Sequence, residues 1–300
     1  MLKAAIDVGS NSFLLTIADV VEGKVTQVHE DQLQIVKLAQ GLDKAGTFHP
    51  DALERAYKAF ESFKDTCDKY GIPTESVRAG GTSAVREAKD SPEFRETVRS
   101  RYGFDIEVVT GENEGLYSWR GAVSTFDLPT DAIPCLVDIG GGSTEFSWNN
   151  GQDSLSLPMG VVRGKERHLH NDPASQAQLT ALSSDMKGLL RQLPDITKPT
   201  PLIATAGTAT TLAAVAGKIE PYDGSKVHGM YLSKQELLRQ IDLYQTMGLE
   251  ERKNIPGLHP SRAEVIIAGA QILLTVYDHF AVDTALVSDR GIRYGLLLSD

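Results

Sequence analysis

Residues 136–146 read LVDIGGGSTEF, and residues 5–13 read AIDVGSNSF. In each stretch an apolar run ends in an aspartate, Asp138 or Asp7, and a turn of glycine with serine, threonine or asparagine follows before apolar residues return. Glycine lets a backbone approach an anion closely, and the N–H groups of such a turn can surround it. A single turn of this kind is common, whereas a matched pair favours two loops that face one anionic ligand over two ordinary hairpin turns.

The composition is that of a globular protein with a core of its own. The chain has 300 residues, of which 41% are hydrophobic and 23% charged, and this length fits two domains or one large domain. Cys67 and Cys135 each lie in an apolar pattern, which predicts buried thiols. The net charge of −10 argues against a general nucleic-acid-binding protein, which carries a basic face. Amides, arginine and Mg²⁺ can still attract a polyanion locally.

Several familiar patterns are absent from the sequence. Neither glycine turn ends in the Gly-Lys-Ser/Thr of a P-loop, and there is no Gly-x-Ser-x-Gly nucleophile elbow. His168 and His170 are the closest histidine pair, and we interpret them as part of a polar loop. No secretory signal and no membrane-spanning apolar run is visible, so we expect a cytoplasmic protein.

The order of apolar patterns predicts an α/β protein with two similar halves. Strands are expected at residues 2–7, 11–20, 24–31, 76–79, 106–110, 154–158, 202–205 and 285–287, with 161–162 also extended. Helices are expected over about 50–70, 112–124, 176–193, 233–247, 260–278 and 291–298, with another that starts at 91. Residues 127–134 read as a connection between domains. We therefore expect two α/β domains with a cleft between them, with ligands at loops that follow strand ends.

Acidic side chains beside these turns are candidate site residues. Asp7 and Asp138 could hold a divalent ion or a water, or each could simply cap its own turn. Glu145 could reach the same ion, or it could face solvent from a strand. Glu114 lies with Glu112 where a strand turns into a helix and could take a proton from water. Acids are also common in a first helical turn, and on the bare sequence that simpler interpretation is preferred.

Two further features could bind phosphate. Arg86 follows Thr82 and Ser83 near a strand end, where a guanidinium could make a bidentate phosphate contact or lie on the surface of a helix. Gly207 and Thr208 open a helix, so their turn could offer amides and hydroxyls to phosphate, or it could be a capped helix start.

Together these segments resemble the exopolyphosphatase / guanosine pentaphosphate phosphohydrolase (Ppx/GppA) family of the actin–sugar kinase–Hsp70 superfamily. The resemblance runs essentially end to end. The segments that carry it are residues 5–13, 82–88 (TSAVREA), 111–114 (GENE), 137–145, 206–212 (AGTATTL), 256–263 (PGLHPSRA) and 288–295 (SDRGIRYG). It implies a short form with two actin-like, ribonuclease H-like domains and an interdomain cleft. Domain I is expected to span 1–120 plus 289–300, and domain II 121–288.

The resemblance also implies roles for individual residues. Glu114 matches the catalytic glutamate that activates water, Asp138 the aspartate that holds Mg²⁺ or positions that water, and Glu145 a further acidic site residue. Arg86 matches the phosphate-binding arginine. The expected substrate-binding residues are Arg86, Asp7, Ser10, Asn11, Gly140, Gly141, Gly142, Ser143, Gly207 and Thr208. The expected metal ligands are Asp138, Glu145 and Asp7, with Mg²⁺ as the ion and K⁺ as a second candidate.

The implied activity is Mg²⁺-dependent hydrolysis of the terminal phosphoanhydride of polyphosphate, of guanosine pentaphosphate, or of both, with release of orthophosphate. The alternatives are a kinase or ATPase of the same superfamily and a non-catalytic nucleotide or polyphosphate sensor. We expect no nucleic-acid or membrane partner, and a monomer or homodimer. Gly115, Tyr294 and Glu264 depart from the alanine, glutamate and aspartate common in the family. Longer members add C-terminal helical domains, so the preference for chain length stays open.

Overall fold

The computed structural model describes residues 1–123, 125–196 and 198–299. The chain divides into two compact units, of which unit 1 comprises Met1–Ser124 and Gly291–Asp300 and unit 2 comprises Thr125–Arg290. The sequence analysis places these boundaries after residues 120 and 288. Each unit contains one mixed sheet with helices packed on it.

Unit 1 is built on a five-stranded sheet in the order β3-β2-β1-β4-β5. Its strands are β1 (Leu2–Val8), β2 (Ser12–Val21), β3 (Lys24–Ile35), β4 (Arg78–Gly81) and β5 (Ile106–Val108). Its first helices are α1 (Leu42–Ala45), α2 (Pro50–Lys69), α3 (Ser83–Glu87), α4 (Ser91–Tyr102) and α5 (Gly111–Val123). The first three strands form an antiparallel meander, and β4 and β5 continue the sheet in parallel with β1.

Unit 2 has a six-stranded sheet in the order β10-β11-β9-β6-β7-β8. Its strands are β6 (Cys135–Ile139), β7 (Thr144–Trp148), β8 (Asp153–Leu157), β9 (Leu202–Thr205), β10 (Tyr231–Ser233) and β11 (Thr284–Val287). Its helices are α6 (Val161–His168), α7 (Gln176–Leu190), α8 (Ala206–Gly217), α9 (Gly224–Val227), α10 (Lys234–Thr246), α11 (Leu249–Arg252) and α12 (Ile266–Phe280).

The two sheets repeat one arrangement. In unit 2 the meander β6-β7-β8 and the parallel strands β9 and β11 reproduce β1-β2-β3 with β4 and β5, and β10 is an added antiparallel edge strand. Asp7 and Asp138 are each the last residue but one of the first strand of their meander. This strand order is that of actin-like, ribonuclease H-like domains, so the predicted α/β fold class is confirmed.

The last helix, α13 (Ile292–Leu297), belongs to unit 1 and packs against α5 and β1. Two glycines allow this close approach of backbones. A Cβ on Gly121 would overlap the carbonyl of Gly291, and a Cβ on Gly295 would overlap the carbonyl of Tyr117. The end of the chain thereby completes the core of the unit in which the chain begins.

The core of unit 1 follows from helical spacing in α2. Its buried residues recur every three or four positions and include Phe60, whose ring lies 5.4 Å from that of Phe13 on β2. Cys67 is buried on the same helix, and Cys135 is buried in β6; both are free thiols, as predicted. Burial raises the pKa of Cys67 to about 11 and that of Cys135 to about 12, so both thiols stay protonated.

The structure corrects three predictions of local structure. Val161 and Val162, predicted to be extended, form the first turn of α6. The helix predicted from residue 260 begins at Ile266, after a single 3-10 turn at Pro260–Arg262. His168, interpreted as part of a loop, is the last residue of α6.

The short elements α1, α3, α9, α11 and β10, each three to five residues long, are not predicted from the sequence. Residue 124, the predicted end of α5, and residue 300 lie outside the described residues. Among the described residues, none of the helices has the length and apolar character needed to cross a bilayer.

Candidate active site

In unit 1 the structure brings Arg86 and Glu114 together. Arg86 follows β4 and Glu114 follows β5, so both side chains lie at the carboxyl ends of neighbouring parallel strands. Arg86 Nη1 donates hydrogen bonds to Glu114 Oε2 at 3.0 Å and to the carbonyl of Val109 at 2.8 Å. Glu114 is only 7% exposed. The guanidinium therefore fixes a buried carboxylate, and its planar fork has further N–H groups suited to an anion.

The first glycine turn of unit 1 joins β1 to β2. Gly9 has no space for a side chain, because a Cβ would lie 2.7 Å from the carbonyl oxygen of Ser12. Ser10 Oγ accepts a hydrogen bond from the N–H of Ala84 at 3.2 Å, which leaves the hydroxyl hydrogen for another acceptor. Asn11 is 8% exposed, and its Oδ1 has no hydrogen-bond partner among the described residues. A buried amide oxygen of this kind is a candidate ligand-binding group.

In unit 2 the second glycine turn is hydrogen-bonded to the first turn of α6. The carbonyl of Gly140 accepts from the N–H of Val161 at 2.9 Å, and that of Gly141 accepts from Val162 at 2.8 Å. Gly160 permits this approach, since a Cβ there would lie 2.5 Å from the Gly141 oxygen. In a trans peptide the C=O and the following N–H point in opposite directions. The next two amides, those of residues 141 and 142, therefore point away from α6, as a phosphate-binding loop requires.

The third turn joins β9 to α8 and is tied to the end of β6. Thr208 Oγ1 donates to the carbonyl of Ile139 at 2.9 Å. Its hydroxyl hydrogen is thereby used, so the substrate contact expected of Thr208 would come from its backbone N–H. Ala206 has a φ of 64°, a left-handed conformation that costs a residue with a Cβ about 1 kcal/mol. Strain of this kind persists where the surrounding structure fixes it, often at functional sites.

Arg262, the last residue of the 3-10 turn Pro260–Arg262, contacts this turn, and the sequence analysis assigned it no role. Its guanidinium lies directly over the Cα of Gly207, so that a Cβ at Gly207 would overlap it. Burial, together with the positive charge of Arg262, lowers the pKa of the neighbouring His259 below its usual value. The segment 256–263 that carried the family resemblance contains both residues, but sequence spacing gives no sign of the contact with Gly207.

Asp138 and Glu145 form a cross-strand pair in unit 2. They lie directly opposite each other on β6 and β7, so their side chains are neighbours on one face of the sheet. Asp138 is 6% and Glu145 1% exposed, which excludes the interpretation of Glu145 as a solvent-facing residue. Ser156 is opposite Glu145 on β8, and its Oγ donates to Glu145 Oε1 at 2.7 Å.

The corresponding cross-strand positions of unit 1 carry one acidic and two apolar side chains. Asp7 is opposite Leu14 on β2, and Leu14 is opposite Leu33 on β3. Unit 1 therefore places one carboxylate where unit 2 places two, although the strands and their registers correspond. The predicted ligands Asp138 and Glu145 are brought together, whereas Asp7 belongs to the other unit.

Comparison with known proteins decides the family. Residues 16–300 match the model of the Ppx/GppA phosphatase family. The chain belongs to this family. Membership confirms the family predicted from the sequence segments and rests on nearly the whole chain.

Two relatives and one solved structure match this Ppx/GppA family member at similar identity. Exopolyphosphatase 2 of Mycobacterium tuberculosis is 32% identical over 318 residues, which cover 99% of this chain and 97% of that protein. The bifunctional 3-dehydroquinate synthase/phosphatase of Fusobacterium nucleatum is 32% identical over 309 residues, which cover 99% of this chain but only 46% of that protein. The solved PPX-GPPA enzyme of Aquifex aeolicus is 33% identical, with 100% of this chain and 99% of that chain covered and a TM-score of 0.81.

The acidic pair of unit 2 suits the Mg²⁺ that the Ppx/GppA resemblance implies. Two buried carboxylates placed directly opposite each other could both supply oxygen ligands to a divalent cation. Mg²⁺ is commonly held by one or two carboxylates, together with waters and substrate phosphates.

Proposed function

We propose that this chain hydrolyses the terminal phosphoanhydride bond of inorganic polyphosphate and releases orthophosphate, with Mg²⁺ as cofactor. The contact of 3.0 Å between Arg86 and Glu114 carries the proposal, because it joins an anion-binding guanidinium to a carboxylate able to accept a proton. Polyphosphate is proposed because the relative named Exopolyphosphatase 2 matches over 97% of its length. Guanosine pentaphosphate ends in the same kind of bond and is proposed as a second substrate.

In the proposed reaction, Arg86 turns from Glu114 to the oxygens of the terminal phosphoryl group when substrate binds. The released carboxylate of Glu114 orients a water molecule and accepts its proton as the water oxygen attacks the terminal phosphorus. The bond from that phosphorus to the bridging oxygen breaks, and its electron pair remains on the shortened chain. Positioning and charge stabilisation are sufficient for this step, so no covalent enzyme intermediate is needed.

We propose that backbone amides and side-chain hydroxyls of the glycine turns hold the phosphoryl oxygens. These are the amides that follow the carbonyls of Gly140 and Gly141, the hydroxyl of Ser143, and the free hydroxyl hydrogen of Ser10. Mg²⁺ held by Asp138 and Glu145, with Asp7 as a further proposed ligand, would neutralise phosphoryl charge. K⁺ is a second proposed ion.

One assay separates this function from the alternatives. Purified protein with Mg²⁺ is offered short polyphosphate, long polyphosphate and guanosine pentaphosphate in parallel, without ATP or an acceptor, and released orthophosphate is measured. We expect release from one or more of them, and none after excess chelator is added. A kinase or ATPase would need ATP or an acceptor, and a sensor would bind without release. No release from any of the three substrates with Mg²⁺ or Mn²⁺ would contradict the proposal.

The role of Glu114 is tested by Glu114→Gln, which keeps the side-chain shape but removes the proton acceptor. We expect phosphate release to fall by about 1,000-fold, while polyphosphate binding is largely retained. Glu112→Gln is the matched control, because Glu112 is exposed in the same helical turn and should leave the rate unchanged. Equal rates in the Glu114→Gln variant and the wild type would remove Glu114 from the mechanism.

A further inference from the structure

We propose that Ser156 is a positioning residue for the metal-binding carboxylate of Glu145. The proposal rests on the proposed function only in taking Glu145 as a ligand of the divalent ion. Ser156 Oγ donates to Glu145 Oε1 at 2.7 Å, and the two residues are register partners on adjacent antiparallel strands. Asp138, Glu145 and Ser156 thus form one continuous row across β6, β7 and β8.

Burial gives this hydrogen bond its importance. Glu145 is 1% exposed, so water cannot solvate its carboxylate as it solvates a surface glutamate. Hydrogen bonds to a charged acceptor are shorter and about twice as strong as neutral ones. The Ser156 hydroxyl has one hydrogen and directs it at Oε1, which fixes the rotation of the carboxylate about its last side-chain bond. A ligand fixed in this way needs no reorientation when the ion binds.

The repeated fold supplies an internal comparison. In unit 1 the positions that correspond to Glu145 and Ser156 are Leu14 and Leu33, which are also direct register partners. Unit 1 therefore has two apolar side chains in contact positions where unit 2 has an acceptor and its donor. The serine accompanies the buried glutamate in one unit, and both are replaced in the other. If the serine only occupied a strand position, there would be no reason for it to occur in the same unit as the glutamate.

Ser154 offers a matched control in the same strand. It lies two residues before Ser156, points to the same face, is also half-buried, and has Ser147 rather than an acidic residue as its partner on β7. Ser154→Ala removes the same hydroxyl from the same strand at a position whose register partner is not acidic. Ser156→Thr restores a hydroxyl in a residue type that strands favour.

The test measures Mn²⁺ binding to the full chain without substrate, by the spin-resonance signal of the free ion, beside phosphate release as a function of Mg²⁺. We expect Ser156→Ala to weaken Mn²⁺ binding by about 10- to 100-fold, the usual effect of losing an outer partner of a ligand. It should raise the Mg²⁺ concentration for half-maximal release by a similar factor. Ser156→Thr should recover most of this loss, and Ser154→Ala should match the wild type. Binding is measured at a temperature at which all the proteins are folded, because the loss of a hydrogen bond to a buried carboxylate in Ser156→Ala also lowers the unfolding temperature.

Wild-type Mn²⁺ affinity in Ser156→Ala would overturn the inference, and so would a Ser156→Thr variant as weak as Ser156→Ala. These results leave the proposed hydrolysis standing if the wild type releases phosphate. Conversely, a wild type that binds Mn²⁺ but releases no phosphate would remove the proposed function, while the Mn²⁺ comparison would still decide the role of Ser156.

Discussion

Arg86 donates to Glu114 and to the carbonyl of Val109 through Nη1 alone, and the other N–H groups of its planar guanidinium distinguish it from a lysine ammonium. Arg86→Lys keeps the charge but loses the planar fork, which contacts Glu114 and Val109 in this structure and is proposed to turn to a phosphoryl group when substrate binds. We expect kcat/KM for polyphosphate to fall by about 100-fold, the usual order for loss of a stabilising donor. Arg78→Lys, in the partly exposed ion pair with Glu107, should leave it unchanged. If Arg86→Lys and Arg78→Lys behave alike, the fork has no special role.

The environment of His228 leads us to expect that the free energy of unfolding depends on pH. Its ring stacks on Phe126 with 4.6 Å between centroids, and its Nε2 is bonded to Thr125 Oγ1 at 2.8 Å. Burial, and then the positive charge of Arg290, lower the pKa of His228 from its usual 6.5. The unfolded chain therefore takes up the proton first as the pH falls. The stabilisation that comes from keeping the His228 ring neutral is fully present above the ordinary histidine pKa of 6.5. It is lost as the pH falls from there toward the lowered pKa of the folded protein.

The measurement is the thermal midpoint of unfolding between about pH 7.5 and about pH 5.5, which spans the ordinary titration of histidine. We expect the midpoint to fall with pH in the wild type and to fall less in His228→Asn. The exposed His170 gives the control, since His170→Asn should follow the wild-type curve. A His228→Asn variant with the wild-type slope would show that this histidine is not responsible.

The acidic candidates and Arg86 were identifiable from the sequence, whereas Arg262, Ser156 and the contacts among all these residues were not. Sequence alone favoured Glu114 as an ordinary acid of a first helical turn, because nothing in the spacing connects it with Arg86, 28 positions away. That contact depends on β4 and β5 being neighbouring strands. Similarly, Glu145 could be read as solvent-facing, because residues 145–148 alternate polar and apolar side chains as in a half-exposed strand, whereas β7 is in fact buried on both faces.

At the scale of elements, α6 is the support of the second glycine turn. Gly160→Ala would place a Cβ within 2.5 Å of the Gly141 carbonyl, so the turn and the helix must separate. We expect loss of at least about 1 kcal/mol in the free energy of unfolding, typical of forced overpacking. We also expect a clear loss of phosphate release, because the amides of the turn lose their direction.

Gly188→Ala is the matched control for this change. Gly188 lies in α7 and is exposed, and a Cβ there would contact nothing within 4 Å. Alanine is the better helix former, so this variant should be stabilised by about 0.5–1 kcal/mol with an unchanged rate. Denaturant unfolding and phosphate release measured on both variants decide the point. A Gly160→Ala protein as stable and active as the wild type would show that α6 does not hold the turn.

Long elements were predictable because their periodicity is strong, and short ones were not. The helix pattern over 50–70 corresponds to Pro50–Lys69, and the predicted meander corresponds to β1, β2 and β3. Val161 and Val162 are β-branched and read as extended, yet their N–H groups have acceptors on the glycine turn, which begins a helix there. Such tertiary hydrogen bonds outweigh the intrinsic preference of two valines.

At the scale of the whole molecule, the repeat of an aspartate and a glycine turn predicted a repeat of a whole sheet. The two units confirm this, since their meanders and parallel strands follow the same order. The repeat does not extend to chemistry, because Leu14 stands where unit 2 has Glu145. That both units act on one substrate, as the sequence analysis expects, stays a prediction.

The most direct test of the account is single-turnover phosphate release from polyphosphate by Glu114→Gln, Asp138→Asn and the double variant. Glu114→Gln changes unit 1 and Asp138→Asn changes unit 2, and each substitution keeps the side-chain shape. If both residues serve one reaction, each single variant should lose about 1,000-fold, and the double variant should lose no more than the worse single one. Wild-type release by Asp138→Asn, or a double variant whose loss is the product of the two single losses, would contradict the account.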